Sequence, residues 1–377
     1  MKFKFYPTES RIYDFLEFPA LVFAKKHFEE SKEEDDLKVP CFADYMNFLN
    51  RTEKILELYL KDIEFFYTKN FLGDYDFIGM ISKVNRFIGY KNEKQYLDML
   101  LGLSEREINK SIAYSIISVN ENSLGYSEAI MNKADALSEN KGELLAIIKD
   151  LPVEAASKWN LFLIIEEPQK YMKMYVELMY NILPVFTDVY NTFDGEINRY
   201  GQYLADYLNK NGAKGLEEIT YSILDSKIIN NEENRIFISS IHQFAISISD
   251  VGKYNFIAWG LRVEEAFKRI KEENENKVNE RVKIFKNLGD KTRYDVLRLI
   301  ASGVTSIKEI AQATGVSSAT ISYHVNNLLQ AKIIKLDRTE NRFGYVVDYK
   351  LLDELTDGLK EDLKNQKNDN RHIQKSI

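Results

Sequence analysis

Apolar residues recur three and four positions apart along most of the chain, and that spacing predicts helices. Arg11–His27 reads as an aromatic-rich helix. Arg51–Phe66 places Ile55, Tyr59, Ile63 and Phe66 on one face. Glu93–Leu101, Glu105–Ser118, Ser127–Leu137 and Glu143–Lys149 follow, and Ser104 with Glu107 forms a capping box. Pro152 and Pro168 suit the first positions of the next two helices. The helix after Pro168 extends to Asn209, with a kink near Pro184, a break at Asp194–Gly195 and an end at Asn211–Gly212. Two stretches carry a β signal instead. Lys2–Tyr6 alternates, and residues 235–259 bring Ile236, Phe237 and Ile238, then Ile246 and Ile248, then Tyr254–Trp259, as a hairpin or small sheet. Leu261–Ile270 returns to helix, with Glu264–Lys268 and Glu265–Arg269 in the favourable orientation. Glu29–Lys38 is a charge run that reads as a solvated loop or helix end. Lys271–Lys277 contains no apolar residue and reads as a polar connector.

The last hundred residues are denser in local signals. A helix opens at Asp290, with Val296, Leu297 and Ile300 inward. Ser306 and Glu309 bracket the start of a short second helix whose apolar face is Ile307, Ile310 and Ala311. Gly315 permits the positive φ that ends it. Ser317 caps a third helix, Ser318–Leu329, which buries Ile321, Val325, Leu328 and Leu329. Its other face presents Ser318, Thr320, Ser322, Tyr323, Asn326 and Asn327. Two helices joined by a tight glycine turn, the second capped and polar, are the geometry that lays a helix in the major groove of DNA. Two β-type runs follow, Ile333–Asp337 and Phe343–Tyr349, around the polar tip Arg338–Arg342; they read as a wing. After Asp353 comes one more amphipathic helix, then a polar tail from Lys364. The expected fold class is therefore mainly α. A large helical N-terminal domain with a small β element precedes a C-terminal winged helix-turn-helix.

Leu288–Gly289–Asp290–Lys291–Thr292–Arg293–Tyr294–Asp295–Val296–Leu297 and Ser317–Ser318–Ala319–Thr320–Ile321–Ser322–Tyr323–His324–Val325–Asn326–Asn327–Leu328 resemble the ArsR family of bacterial transcription regulators. More loosely, the whole chain is similar to long members that place a large helical domain first. The resemblance implies base contacts at Ser318, Ala319, Ser322 and Tyr323. The family often has Gln at the first of these; Ser318 is shorter, so a bidentate adenine contact is lost. His324 matches the family's common histidine and either touches phosphate or packs. The resemblance also implies a dimer seam in the helices flanking the motif. Many members sense metals through cysteine pairs in the second helix; Thr305–Glu309 holds no thiolate, and His27, His242, His324 and His372 are scattered. Neither a metal site nor a cofactor is expected.

Charge sharpens the division. Residues 278–350 hold 12 Lys+Arg and 7 Asp+Glu, a net of +5, whereas the chain carries −7 and residues 1–277 carry −11. A basic module on an acidic body suits a protein that binds double-stranded DNA with one part only. The expected domains are residues 1–270, a connector at 271–277, the winged helix at 278–350 and a helix with polar tail at 351–377. At 377 residues, with 45% apolar and 29% charged content, the composition is that of a soluble globular chain. Cys41 alone excludes an intramolecular disulfide and suits a reducing cytoplasm. No secretory leader is visible at Met1–Tyr6, and no apolar run reaches the roughly 18 residues of a membrane span.

The candidate DNA-binding residues are thus Ser318, Ala319, Thr320, Ser322, Tyr323, His324 and Asn326, with Arg338 and Arg342 on the wing. Arg338 and Arg342 suit phosphate or the minor groove; solvated hairpin arginines are the plainer reading. Arg293 braces its helix start. In the N-terminal domain, Tyr171 with Tyr175, and Tyr200 with Tyr203 and Tyr207, form stripes. They are either the walls of a pocket for an unidentified small-molecule effector or ordinary helical core with exposed tyrosines. His242 reads as a satisfied histidine, and Glu166–Glu167 as support for the helix N-terminus at Pro168. No nucleotide loop, metalloprotease motif or nucleophile elbow occurs. The expectation is a non-enzymatic, homodimeric, cytoplasmic transcription regulator. The alternative is an enzyme recruited to DNA by a C-terminal winged helix.

Overall fold

The computed structural model describes residues 2–24, 42–68, 71–72, 75–121, 126–221, 224, 233–249, 255–274, 277–339 and 342–373. The chain is mainly α with small sheets and ends in a helix-turn-helix domain. It divides into two compact units. The first is Met1–Lys210 with Asn231–Val263, and the second is Asn211–Asn230 with Glu264–Ile377.

In the first unit β1 (Lys2–Phe5) leads into α1 (Pro7–Glu17). Then come α2 (Phe42–Leu56), α3 (Leu60–Tyr67), α4 (Phe77–Ser82), α5 (Glu93–Leu101), α6 (Glu105–Asn120), α7 (Glu128–Ser138) and α8 (Lys141–Asp150). The helical series ends with α9 (Ala155–Glu166), α10 (Pro168–Asn191) and the long α11 (Asp194–Ile219). Strands β2 (Glu233–Ser239), β3 (Ile246–Ser249) and β4 (Phe256–Gly260) complete a sheet of order β1-β2-β4-β3. Strand β2 runs parallel to both β1 and β4, pairing Phe5 with Ile236 and Ile238 with Trp259. The expected β segment at 235–259 is present, but its hairpin is β3–β4, with Ile246 opposite Trp259. The reason lies in burial. Phe256–Gly260 is buried throughout and most of β2 is too, as central strands covered on both faces are. The Ile/Ser alternation of β3 suits an edge.

Several helix boundaries follow their signals. The Ser104–Glu107 capping box is formed on both arms, and Pro168 opens α10. Pro152 does not open a helix; α9 begins at Ala155. The helix continues through Pro184, and the break before Asp194 is real. Gly212 (φ 61°, ψ −148°) interrupts α11 where the chain passes from the first unit to the second. The face drawn through Ile55 and Ile63 does not hold. A 3₁₀ turn at Glu57–Tyr59 rotates the chain, so Leu56 is buried and Ile55 is 43% exposed, before Ile63 and Phe66 return to the core.

The tyrosine stripes divide along the plainer reading. Tyr171 and Tyr175 are buried, and the Tyr175 hydroxyl lies 3.2 Å from that of Tyr67. Trp259 donates to the Tyr200 hydroxyl at 2.7 Å, and Tyr203 is exposed. Beneath β2, the Asp14 carboxylate is fully buried and accepts three hydrogen bonds: from the Ser239 hydroxyl (2.6 Å), the Ser240 hydroxyl (2.7 Å) and the Ser240 amide (2.7 Å). Burial pushes its pKa up to about 6 despite those bonds.

The second unit continues with α12 (Val263–Asn274), α13 (Lys277–Gly289), α14 (Lys291–Ala301), α15 (Ile307–Thr314) and α16 (Ser318–Gln330). Strands β5 (Ile334–Thr339) and β6 (Arg342–Val347) pair as an antiparallel hairpin, and α17 (Tyr349–Ile373) ends the unit. The polar connector at 271–277 is largely helical, divided between the end of α12 and the start of α13. The final helix starts at Tyr349 rather than after Asp353 and takes in much of the expected polar tail. Leu224 makes an isolated parallel bridge to Leu336 of β5, a pairing with no local sequence signal. The charge run Glu29–Lys38, Cys41 and the wing tip Glu340–Asn341 lie outside the described residues. Among the described residues, no helix is long and apolar enough to cross a membrane.

Candidate nucleic-acid interface

One apolar core fixes the winged helix. Val296 and Ile300 of α14, Ile310 of α15, Ile321, Val325 and Leu328 of α16, and Ile333 and Ile334 at the start of β5 are buried together, joined by Ile284 from α13 and Leu355 from α17. Each helix of the motif begins on a side-chain cap. The Asp290 carboxylate accepts from the Arg293 amide at 2.8 Å, Ser306 from the Glu309 amide at 3.5 Å, and Ser317 from the Thr320 amide at 3.2 Å. Such a cap is worth about 1 kcal/mol.

The helix ends are equally determined. Gly315 takes φ 68° after α15, and the Val316 amide reaches back to the Ala311 carbonyl. Lys332 adopts φ 57° after α16, where glycine is usual. There the Ile333 amide donates to the Leu328 carbonyl and the Lys332 amide to Leu329, closing a Schellman turn that aims the chain into β5. The wing lies against the α14–α15 connection. A Cβ placed on Gly344 would come within 2.9 Å of the Thr305 side chain, so only glycine fits that approach. At the base of the wing Lys335 pairs with Asp348 at 2.6 Å. Burial alone would raise the Asp348 carboxyl, but the Lys335 contact and the Leu351 amide hold it below its ordinary value.

On this scaffold the outward face of α16 is short and polar. Ala319, Thr320 and Asn326 are exposed, and Ser318, Ser322 and Tyr323 are half-buried. Six of the expected residues thus share one reachable surface. His324 is different: it is 9% exposed, with its ring 5.4 Å from that of Tyr323. Asn327, expected on the polar face, is 5% exposed and sits on the buried side, where its Nδ2 finds no partner. Helical geometry explains this, because position 327 lies one turn from the buried positions 324 and 331 on the same side. Arg293 is buried and donates to Asn287 Oδ1 at 3.1 Å, the bracing role its position suggested.

The strands run further than the sequence pattern indicated. Arg338 stands opposite Phe343 and Thr339 opposite Arg342, so both arginines belong to strand ends rather than to the tip. Their side chains lie outside the described residues. Exposed Lys291 and Arg298 on α14 add positive charge that sequence reasoning did not single out; their positions off the buried stripe were the available signal. Among the described residues, no three His, Cys, Asp or Glu side chains gather as a metal cage.

Residues 288–337 match the family described as a helix-turn-helix domain. The chain is also similar to the transcriptional repressor SdpR of Bacillus subtilis (strain 168), 34% identical over 68 residues, which are 18% of this chain and 71% of that protein. The chain belongs to the winged helix-turn-helix transcription regulators. The matched stretch takes in the capped polar helix α16 and most of strand β5. No solved structure matches the chain.

Proposed function

We propose that the protein is an ArsR-type regulator that acts in the cytoplasm as a homodimer on a pseudo-palindromic operator. Helix α16 enters the major groove and turns Ser318, Ala319, Thr320, Ser322, Tyr323 and Asn326 toward base edges. The wing brings Arg338 and Arg342 to phosphates. His324, buried beside Tyr323, sets the pose of that ring instead of reaching the duplex. The observation that carries the reading is the division of α16 itself: Ile321, Val325 and Leu328 are fully buried while the opposite face is polar and accessible.

One winged helix covers one half-site, so a two-fold operator calls for two copies. Val282 and Phe285 on α13 and Leu359 and Leu363 on α17 are apolar side chains left exposed, and they support a seam through the helices that flank the motif. The likeness to a named repressor favours repression by occupancy of the operator. The acidic part of the chain, residues 1–270, is the regulatory domain, and residues 278–350 bind DNA.

Binding of the full chain to duplexes selected from random sequence tests this. The expected result is a dimer on two half-sites about 34–36 Å apart or a multiple of that, with affinity falling steeply as salt rises. Absence of any enriched sequence, or binding unchanged at high salt, overturns it.

A further inference from the structure

The first unit holds a cavity of about 550 Å³ that no part of the DNA-binding reading uses. It opens between α1, the α4–α6 region and the sheet. Its size falls within the range of small-molecule sites, roughly 300–1,000 Å³. One wall is aromatic: Tyr13, Phe87 and Phe256 lie with ring centroids 5.8–6.3 Å apart. Lys83 stands on another wall, with its Nζ 3.9 Å from the centroid of Tyr75. Burial, with Arg86 on the same wall, lowers the Lys83 pKa to about 8, and no carboxylate is among the causes. The lysine therefore remains largely charged near neutral pH in surroundings that penalise the charge.

The remaining groups do not supply the missing anion. Glu17 reaches His242 at 3.6 Å. Burial would lower that histidine's pKa, but the Glu17 hydrogen bond and charge, with the nearby Asp14, outweigh it and raise the pKa above its ordinary value. Asp14 is saturated by Ser239 and Ser240. Ser118 supplies a second sign that the cavity is incomplete: it lines the space, is 1% exposed, and its hydroxyl has no hydrogen-bond partner. A buried hydroxyl without a partner is a cost that a ligand oxygen removes.

We propose that this cavity binds a small molecule carrying a carboxylate or phosphate on an apolar, ring-bearing body, with Lys83 and Ser118 meeting the anion and Tyr13, Phe87 and Phe256 holding the ring. The proposal does not depend on DNA binding, and the full chain tests it directly by calorimetry. The probes are phenylacetate, phenyl phosphate and the neutral phenylacetamide. One site per chain is expected, with at least one anion bound about tenfold or more tighter than the amide, a margin set by pairing with a desolvated charge. The better anion assigns the head group. Lys83→Met abolishes the preference for the anion while circular dichroism and Tm are retained, Lys83→Arg restores part of it, and Ser118→Ala weakens binding several-fold. Neither anion binding into the millimolar range, the amide binding as well as both anions, or Lys83→Met leaving the preference intact overturns the proposal. Should Lys83→Met fail to fold, an unchanged affinity in Ser118→Ala overturns it equally.

Discussion

The two units place their polar side chains in opposite ways. In the first, the distinctive hydrogen-bonded polar groups face inward: Asp14 under the sheet and Tyr67 against Tyr175. In the winged helix, an aliphatic core joins α14–α16 to the start of β5, and the polar side chains of α16 other than His324 and Asn327 stand outward. An inward polar group holds the fold, so changing it costs stability. An outward one contributes little to the fold and is free to serve a partner. The contrast gives each unit a different response to substitution.

The largest effect is expected at Asp14. Removing the carboxylate leaves two hydroxyls and an amide without their acceptor, so Asp14→Ala should lose on the order of 3 kcal/mol in urea unfolding. A loss under about 1 kcal/mol would show that the inward network does not hold the unit. The same residue carries a pH signature. Its folded pKa of about 6 lies above the ordinary 3.8, so the folded state binds the extra proton between those values. The Asp14 contribution to stability is then greatest at low pH and declines as pH rises from about 3.8 to about 6. Asp14→Asn should flatten that part of the stability profile.

Next comes the tight approach at Gly344 in the winged helix. Gly344→Val drives a side chain into Thr305 and should cost about 2 kcal/mol. Specific DNA binding should fall with it as the wing is displaced. A variant as stable as the parent would mean that the hairpin is not held against the α14–α15 connection.

These two sites also show what the sequence made legible. Asp290, Ser306, Gly315 and Ser317 announce their roles within three or four residues, because caps and left-handed turns are local chemistry. The winged helix could therefore be drawn element by element, and six of its candidate contacts lie on one accessible face. Asn327 was misplaced because its polarity outweighed its helical phase, and Lys332 was missed because a lysine does not signal a left-handed turn. The cavity of the first unit was invisible for another reason. Tyr13, Lys83, Ser118, His242 and Phe256 meet only through the parallel pairing of β2 with β4 and the packing of α1 and α6, and no short-range pattern encodes that. The tyrosine stripes drew attention because they are periodic, and periodicity marks the core.

A smaller effect should follow from Ser317→Ala, which removes the cap of α16. About 1 kcal/mol of stability is expected to go, with DNA affinity reduced through the helix start rather than through any base contact. Rescue by Ser317→Asp would separate capping from contact. Smallest in stability are the wing arginines. Arg338→Ala and Arg342→Ala should each leave unfolding within about 0.5 kcal/mol of the parent. Each should weaken specific and non-specific DNA alike and lower the salt slope by about one unit if each meets one phosphate. Parental binding at every salt concentration would remove them from the interface.

The central claim, that the outward face of α16 reads sequence while its inward face only holds it, is tested most directly by comparing DNA selections. The parent, Ser322→Ala and Tyr323→Ala would each be offered the same pool of random duplexes, with unfolding measured in parallel. The account predicts unfolding midpoints close to the parent for both variants, together with an altered or relaxed preference at defined positions of each half-site. Identical selected sequences for all three proteins would contradict it.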